Sequence, residues 1–173
     1  MKFELNQSID VLSRTPGTLN TLLRGLPNDW THQNEGPDSW SPFDVIGHLI
    51  HGEKTDWVPR ATLIMGNGDK HFQPFDRFAM FEASKGKSLD QLLDEFQVLR
   101  EEGLERLKSL NIQESDLEKE GIHPYFGNIT LRNLLSTWVT HDLNHIYQIV
   151  RVMAKLYKEE TGPWPEYIRL LNE

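Results

Sequence analysis

From Leu5 onward, apolar residues recur at intervals of three and four, the repeat of a helix with one buried face. Ile9, Leu12, Leu19, Leu23 and Leu26 continue one stripe, and Pro16 sits on it between Leu12 and Leu19. This predicts a first helix kinked or broken near Pro16, because proline lacks the N–H that an interior turn requires. At 41 to 44, "SPFD" offers Ser41 as N-cap, Pro42 at the first helical position and Asp44 at the third, the signature of a helix start. A second helix runs from there to about "GNG" at 66 to 68, bent at Pro59. Ser88 and Gln91 form a capping box ahead of a third helix, whose stripe is Leu92, Phe96, Leu99, Leu107 and Leu110, with Gly103 among them. Thr130 caps a fourth helix, which continues through Leu134, Trp138, Ile149 and Val152 to about Tyr157. A short C-terminal helix starts at Pro165.

Four amphipathic helices, with no alternating strand pattern and no internal repeat, predict an all-α fold: a four-helix bundle forming one domain over residues 1–173. The connection between helices two and three, residues 66–87, exceeds the roughly 12–15 residues of an ordinary link. Within it, "HFQPFDRFAMF" carries Phe72, Phe75, Phe78 and Phe81 at every third position, more aromatic content than a disordered linker holds. The segment is expected to pack over one end of the bundle, as a hydrophobic plug or as the wall of a pocket.

Composition narrows the function. With 26 acids against 18 bases and a formal charge of -8, the surface is poorly suited to nucleic acid. No run of about 18 apolar residues predicts a membrane span, and "MKFELNQSID" lacks the apolar core of a secretory signal, so a cytoplasmic location is expected. The chain has no cysteine. A disulfide, a thiol nucleophile and a thiolate ligand are therefore excluded, and any metal site must use nitrogen and oxygen donors.

In helix four, "THDLNHIYQI" places His141 and His145 four residues apart. On a helix they lie about 40° apart around the axis and about 6 Å apart along it, so both can meet one ion. Both share the arc of Leu134, Trp138 and Val152, while Asn144, Tyr147 and Arg151 point away. The alternative is that each imidazole bonds separately within the core. A transition metal generally takes a third protein ligand, and helix two offers His48 and His51. His48 borders the arc of Val45, Leu49 and Leu63, whereas His51 clusters with Asp44, Thr55 and Thr62 on a polar arc, which makes His48 the candidate. His32, His71 and His123 fall in loops without partner spacing. Asp142 and Glu53 occupy inward positions, where an unpaired carboxylate is costly. Each reads either as a partner of a ligand imidazole or as part of a cap or an internal ion pair.

The stretches "DSWSPFDVIGHLIHGE", "TLRNLLSTWVTHDLNHIYQI" and "TGPWPEYI" together resemble the DinB-like (DinB/YfiT) superfamily of four-helix metalloproteins, and the likeness runs from helix one to the C-terminus. In that family one helix-two histidine and an H-x-x-x-H pair on helix four bind a divalent metal and leave positions for water. By motif these are His48, after "WSPFDVIG", and then His141 and His145. The resemblance implies one divalent transition metal (Zn, Ni or Fe), a small-molecule substrate and, since relatives often look dimeric, a homodimer. Characterised relatives include transferases and isomerases that use low-molecular-weight thiols such as bacillithiol, mycothiol or glutathione, and others look like hydrolases.

Three functions are open on this reading. The first is a metal-dependent enzyme, a thiol-dependent transferase or a hydrolase, that activates a thiol or water at the three-histidine site. Arg77, within "FDRF", then offers a cation to a substrate carboxylate, unless it is a plain surface arginine. The second is zincin-like: H-D-x-x-H, with Asp142 in the place of the metalloprotease glutamate and Glu160 or Glu166 as third ligand. The third is a binding or interaction module that holds a metal without turnover.

Overall fold

Three capping boxes start the long helices where the sequence placed them. In a computed structural model that describes residues 1–172, Ser41, Ser88 and Thr130 each accept the backbone N–H of the residue three positions on. Asp44, Gln91 and Asn133 accept the reciprocal N–H bonds. The first helix is two pieces, α1 (Leu5–Leu12) and α2 (Thr15–Leu23), and the break falls just ahead of Pro16. After a single turn, α3 (Asn28–Thr31), the second helix is again two pieces, α4 (Pro42–Thr55) and α5 (Trp57–Met65). Its break lies at Asp56 rather than at Pro59 itself. Pro59 instead occupies the first turn of α5, where a missing N–H costs nothing. The remaining helices are α6 (Ala79–Ser84), α7 (Leu89–Ser109) and α8 (Leu131–Lys155).

Two apolar clusters show how the helices run. One contains Leu12, Trp57, Ile64, Leu104, Leu107, Leu134 and Trp138. The other contains Leu19, Leu23, Val45, Leu49, Leu92, Phe96 and Ile149. Followed along the chain, α1–α2 and α8 pass from the first cluster to the second, whereas α4–α5 and α7 pass from the second to the first. Helices two and three are therefore parallel, and the chain must return the length of the bundle between them. That return is why the 66–87 connection is long. Met80 and Ser84 of α6 are buried, and a Cβ on Gly47 of α4 would lie 2.5 Å from the Ser84 Oγ, so α6 packs directly on α4.

The 66–87 aromatics divide between the two expected roles. Phe72 is buried in the first cluster as a plug, Phe75 lies against His48 and His51 as a wall, and Phe78 and Phe81 are exposed.

A small hairpin, β1 (Glu120–His123) and β2 (Gly127–Thr130), joins α7 to α8 and was not expected from the sequence. Four residues per strand are too few to show alternation. The start of the 66–87 connection adds to its edge, with the Phe72 N–H donating to the Ile122 carbonyl at 2.9 Å. Gly121 allows this approach, because a Cβ there would sit 2.6 Å from the Phe72 ring. The C-terminal segment forms 3-10 turns at Trp164–Tyr167 and Arg169–Leu171, a looser form of the short helix expected from Pro165. Pro163 and Pro165 remove two N–H donors from it. No helix is long and apolar enough to cross a membrane among the described residues.

Candidate metal centre

Between the two apolar clusters lies a polar layer, and its members come from all the long helices. On α7, Arg100 follows Phe96 by four residues and precedes Leu104 by four, so helical phase carries it into the core at 1% exposure. Its guanidinium donates to Asp142 of α8 at 2.6 and 3.0 Å, to Glu53 of α4 at 2.7 Å and to the Leu12 carbonyl of α1 at 2.8 Å. Trp138 donates its indole N–H to Glu53 at 3.2 Å. Burial opposes charge on Arg100, yet Asp142 and Glu53 outweigh it and hold its pKa above the ordinary value. At Glu53 burial wins and raises the pKa, since Arg100 and Trp138 bond only one of its oxygens and Oε2 has no partner. Gly103 makes room for that oxygen, because a Cβ there would lie 3.3 Å from it. Asp142 and Glu53 are thus bound into an internal ion pair through Arg100, and no hydrogen bond joins either to an imidazole among the described residues.

Beside this layer His48, His141 and His145 converge. The Nε2 of His141 lies 3.1 Å from that of His48 and 3.1 Å from that of His145. The three are the only group of at least three His or acidic side chains among the described residues with ligand atoms within 4.8 Å of one another. His145 Nδ1 is 2.8 Å from the Gln148 amide oxygen, which can only accept. The Nδ1 therefore carries the proton, and the His145 Nε2 lone pair faces the other two rings. Burial lowers the pKa of His48 to about 3, helped by the charges of His145, His51 and Arg77. Burial likewise lowers His141 to about 2, helped by His145, His48 and Arg100. Burial also lowers His145, against the opposing Gln148 bond and Asp142 charge.

Three neutral imidazoles meeting at Nε2 cannot satisfy one another. A single Nε2–H on His141 can reach one neighbour, which leaves the other contact between lone pairs. The buried Nδ1 atoms of His48 and His141 have no protein partner that would fix a different tautomer. A cation accepts all three lone pairs at once. Two nitrogens on one ion at about 2.0–2.1 Å are separated by about 3.0–3.4 Å, so the donor set fits a divalent transition metal.

The trio lies in the wall of a cavity of about 440 Å³, bounded by α4, α5 and α8, by the 66–87 connection and by the hairpin. Trp40 lies 4.8 Å from the His48 ring and Trp57 4.9 Å from the His141 ring, so aromatic faces shield the imidazoles. Arg77 lines the cavity, as do Asp56 and Arg60, which pair at 2.6 Å. His123 also lines it, stacked 4.6 Å from Phe126 at the hairpin tip. His51 packs on Phe75 and stays outside the trio, and His71 is exposed beside Asp69. Glu160 and Glu166 are exposed in the C-terminal segment and do not approach the histidines. The zincin-like arrangement is therefore not assembled, since Asp142 is also turned into the core toward Arg100.

Sequence reasoning missed Asp56, Arg60 and His123. An acid and a base four apart inside the apolar run "DWVPRAT" signalled the first two. His123 gave no local signal, because its place depends on hairpin register.

Asp56 carries a pH dependence. Burial raises its pKa to about 6, with Arg60 only partly opposing. The folded protein therefore holds the proton more tightly than the unfolded chain, whose carboxyl titrates near 4. Folding stability of metal-free protein should fall by on the order of 2–3 kcal/mol as pH rises from about 4 to about 7 through this group. His48 and His141, whose lowered pKa values make stability rise over the same range, are common to wild type and Asp56→Asn. Urea melts will therefore show Asp56→Asn gaining stability relative to wild type by about that amount as pH rises. An unchanged slope in Asp56→Asn would assign the titration elsewhere.

Residues 12–149 match the family model of the DinB superfamily, and the chain belongs to that superfamily. Among solved structures it is similar to YfiT from Bacillus subtilis, at 21% identity and a TM-score of 0.75, over 93% of this chain and 90% of that one. YfiT is described as a probable metal-dependent hydrolase with an unusual four-helix bundle topology, and the likeness establishes the shared fold. No curated protein sequence matches.

Proposed function

We propose that His48, His141 and His145 hold one divalent metal ion and that the chain is a metal-dependent enzyme, best read as a hydrolase of small molecules. The convergence of three neutral Nε2 atoms in the wall of a 440 Å³ cavity carries this reading. The description of YfiT as a probable metal-dependent hydrolase supports it. An ion bound there would supply Lewis acidity, lowering the pKa of a nucleophile and polarising a carbonyl.

The chain's own residues do the rest. Uncharged imidazole donors would leave a bound ion's charge undiminished, and three protein donors are fewer than the four with which a structural site closes. Trp40, Trp57 and Phe75 exclude bulk water around the imidazoles. Asp56, with its pKa near 6, is the cavity carboxylate able to accept a proton near neutral pH. A thiol-dependent transferase is the second reading; as the chain has no cysteine, its sulfur nucleophile would arrive as a co-substrate.

Cobalt(II)-loaded protein tests these readings. Under the hydrolase reading it turns over members of an ester and amide panel, and His141→Ala abolishes turnover. A thiolate-to-metal absorption band with glutathione or cysteine, together with conjugation of an epoxide or alkyl halide, would shift the assignment to thiol transfer. A visible spectrum unmoved by thiols and anions, with no turnover, would mean a protein that only holds the metal.

A further inference from the structure

The charges around the cavity do not balance. Arg60 is matched by Asp56 and is fixed further by donating to the Gln73 carbonyl at 3.2 Å and by lying 5.0 Å from the Phe72 ring centroid. Arg77 has no such match. It forms no ion pair among the described residues, and the neighbouring Asp76 accepts the backbone N–H of Phe78 at 3.0 Å. The Arg77 guanidinium instead rests 4.8 Å from the Phe78 ring centroid and 5.8 Å from that of Trp40, the ring that covers His48. With the histidines neutral, the lining carries Arg60 and Arg77 against Asp56 alone, one net positive charge inside a chain of net charge -8. A cleft with a net positive charge and one unpaired cation at its edge favours anionic ligands.

We propose that the cavity selects a small organic carboxylate with an apolar body, and that Arg77 is its anchor. The carboxylate pairs with the guanidinium, which lies exposed at the edge of the cavity beside the Trp40 and Phe78 rings. The apolar body lies against Trp40, Phe75 and Phe126, all part of the lining. An uncharged substrate would leave this cation unused. The inference deepens the enzymatic reading by naming a substrate class, and it rests on that cavity being the substrate site.

Calorimetric titration of EDTA-treated protein with benzoate and with its neutral isostere benzamide tests it apart from any metal. Wild type should bind benzoate about tenfold or more tighter than benzamide, as a charge-assisted pair contributes. Arg77→Gln should erase that preference and Arg77→Lys should keep part of it, while both variants retain the wild-type melting curve and metal content. Equal binding of the two ligands by wild type, no benzoate binding at all, or an undiminished preference in Arg77→Gln would overturn the proposal. A wild type that prefers benzoate yet binds no metal would sink the metal reading and leave the carboxylate site standing.

Discussion

Replacing Arg100 with Met should destabilise the protein by about 3–5 kcal/mol, as much as truncating a buried aromatic of the core. Arg100 is 1% exposed and compensates two carboxylates that are themselves buried, Asp142 at 0% and Glu53 at 8%. Methionine fills much of the same space, so the loss would come from charge left without a partner rather than from a void. The carbonyl of Leu12 would lose its donor as well. Two consequences separate this account from simple misfolding. Replacing Asp142 with Asn and Glu53 with Gln in the Arg100→Met background should recover most of the lost stability, because the penalty belongs to the stranded charges. The deficit of Arg100→Met should also shrink as pH falls, since Glu53, already raised in pKa by burial, can then take a proton. Denaturant melts of metal-free protein across pH measure both. A loss below about 1 kcal/mol would mean that the triad is solvated and does not bind the helices together.

The polar layer also explains why the histidines meet. His48 and the His141–His145 pair sit on different helices, and their convergence requires α4 and α8 to hold one register. Glu53 is five residues after His48, Asp142 directly follows His141, and both are tied to the same guanidinium. Arg100 thereby ties together α4 and α8, the two helices that carry the three histidines.

Much of this arrangement could be read from the chain, and the parts that could not share a physical cause. Helix starts were legible because caps are local: Ser41, Ser88 and Thr130 bond backbone within three residues. The histidine trio was legible because helical phase is local too, placing His51 about 60° around the axis from inward His48 at about 100° per residue. Asp142 and Glu53 were recognisable as buried carboxylates needing partners, but the identity of the partner was not read. Arg100 lay in plain register with Phe96 and Leu104, hidden among charged neighbours in "LREEGLER". The regular spacing of Phe72, Phe75, Phe78 and Phe81 suggested one role, yet the segment is extended before α6, so the four rings point to different surroundings. His123 and Phe126 reach the cavity through a hairpin whose strands are too short to announce themselves.

The site's largest expected effect concerns metal affinity. His141 is the central ring, its Nε2 touching both others, and its removal leaves two donors on separate helices. Loss of a partner that merely orients a ligand costs about 10–100-fold in affinity, so loss of a ligand should cost at least about 100-fold. The same holds for His48 and His145, while His51, packed on Phe75 outside the trio, should be dispensable. The direct measurement is elemental analysis by mass spectrometry of protein purified without a nickel column and equilibrated with divalent metal. The account predicts one ion per chain in wild type and in His51→Ala, and almost none in His48→Ala, His141→Ala or His145→Ala. Full occupancy in any of those three, or a wild type that retains no ion, would contradict it.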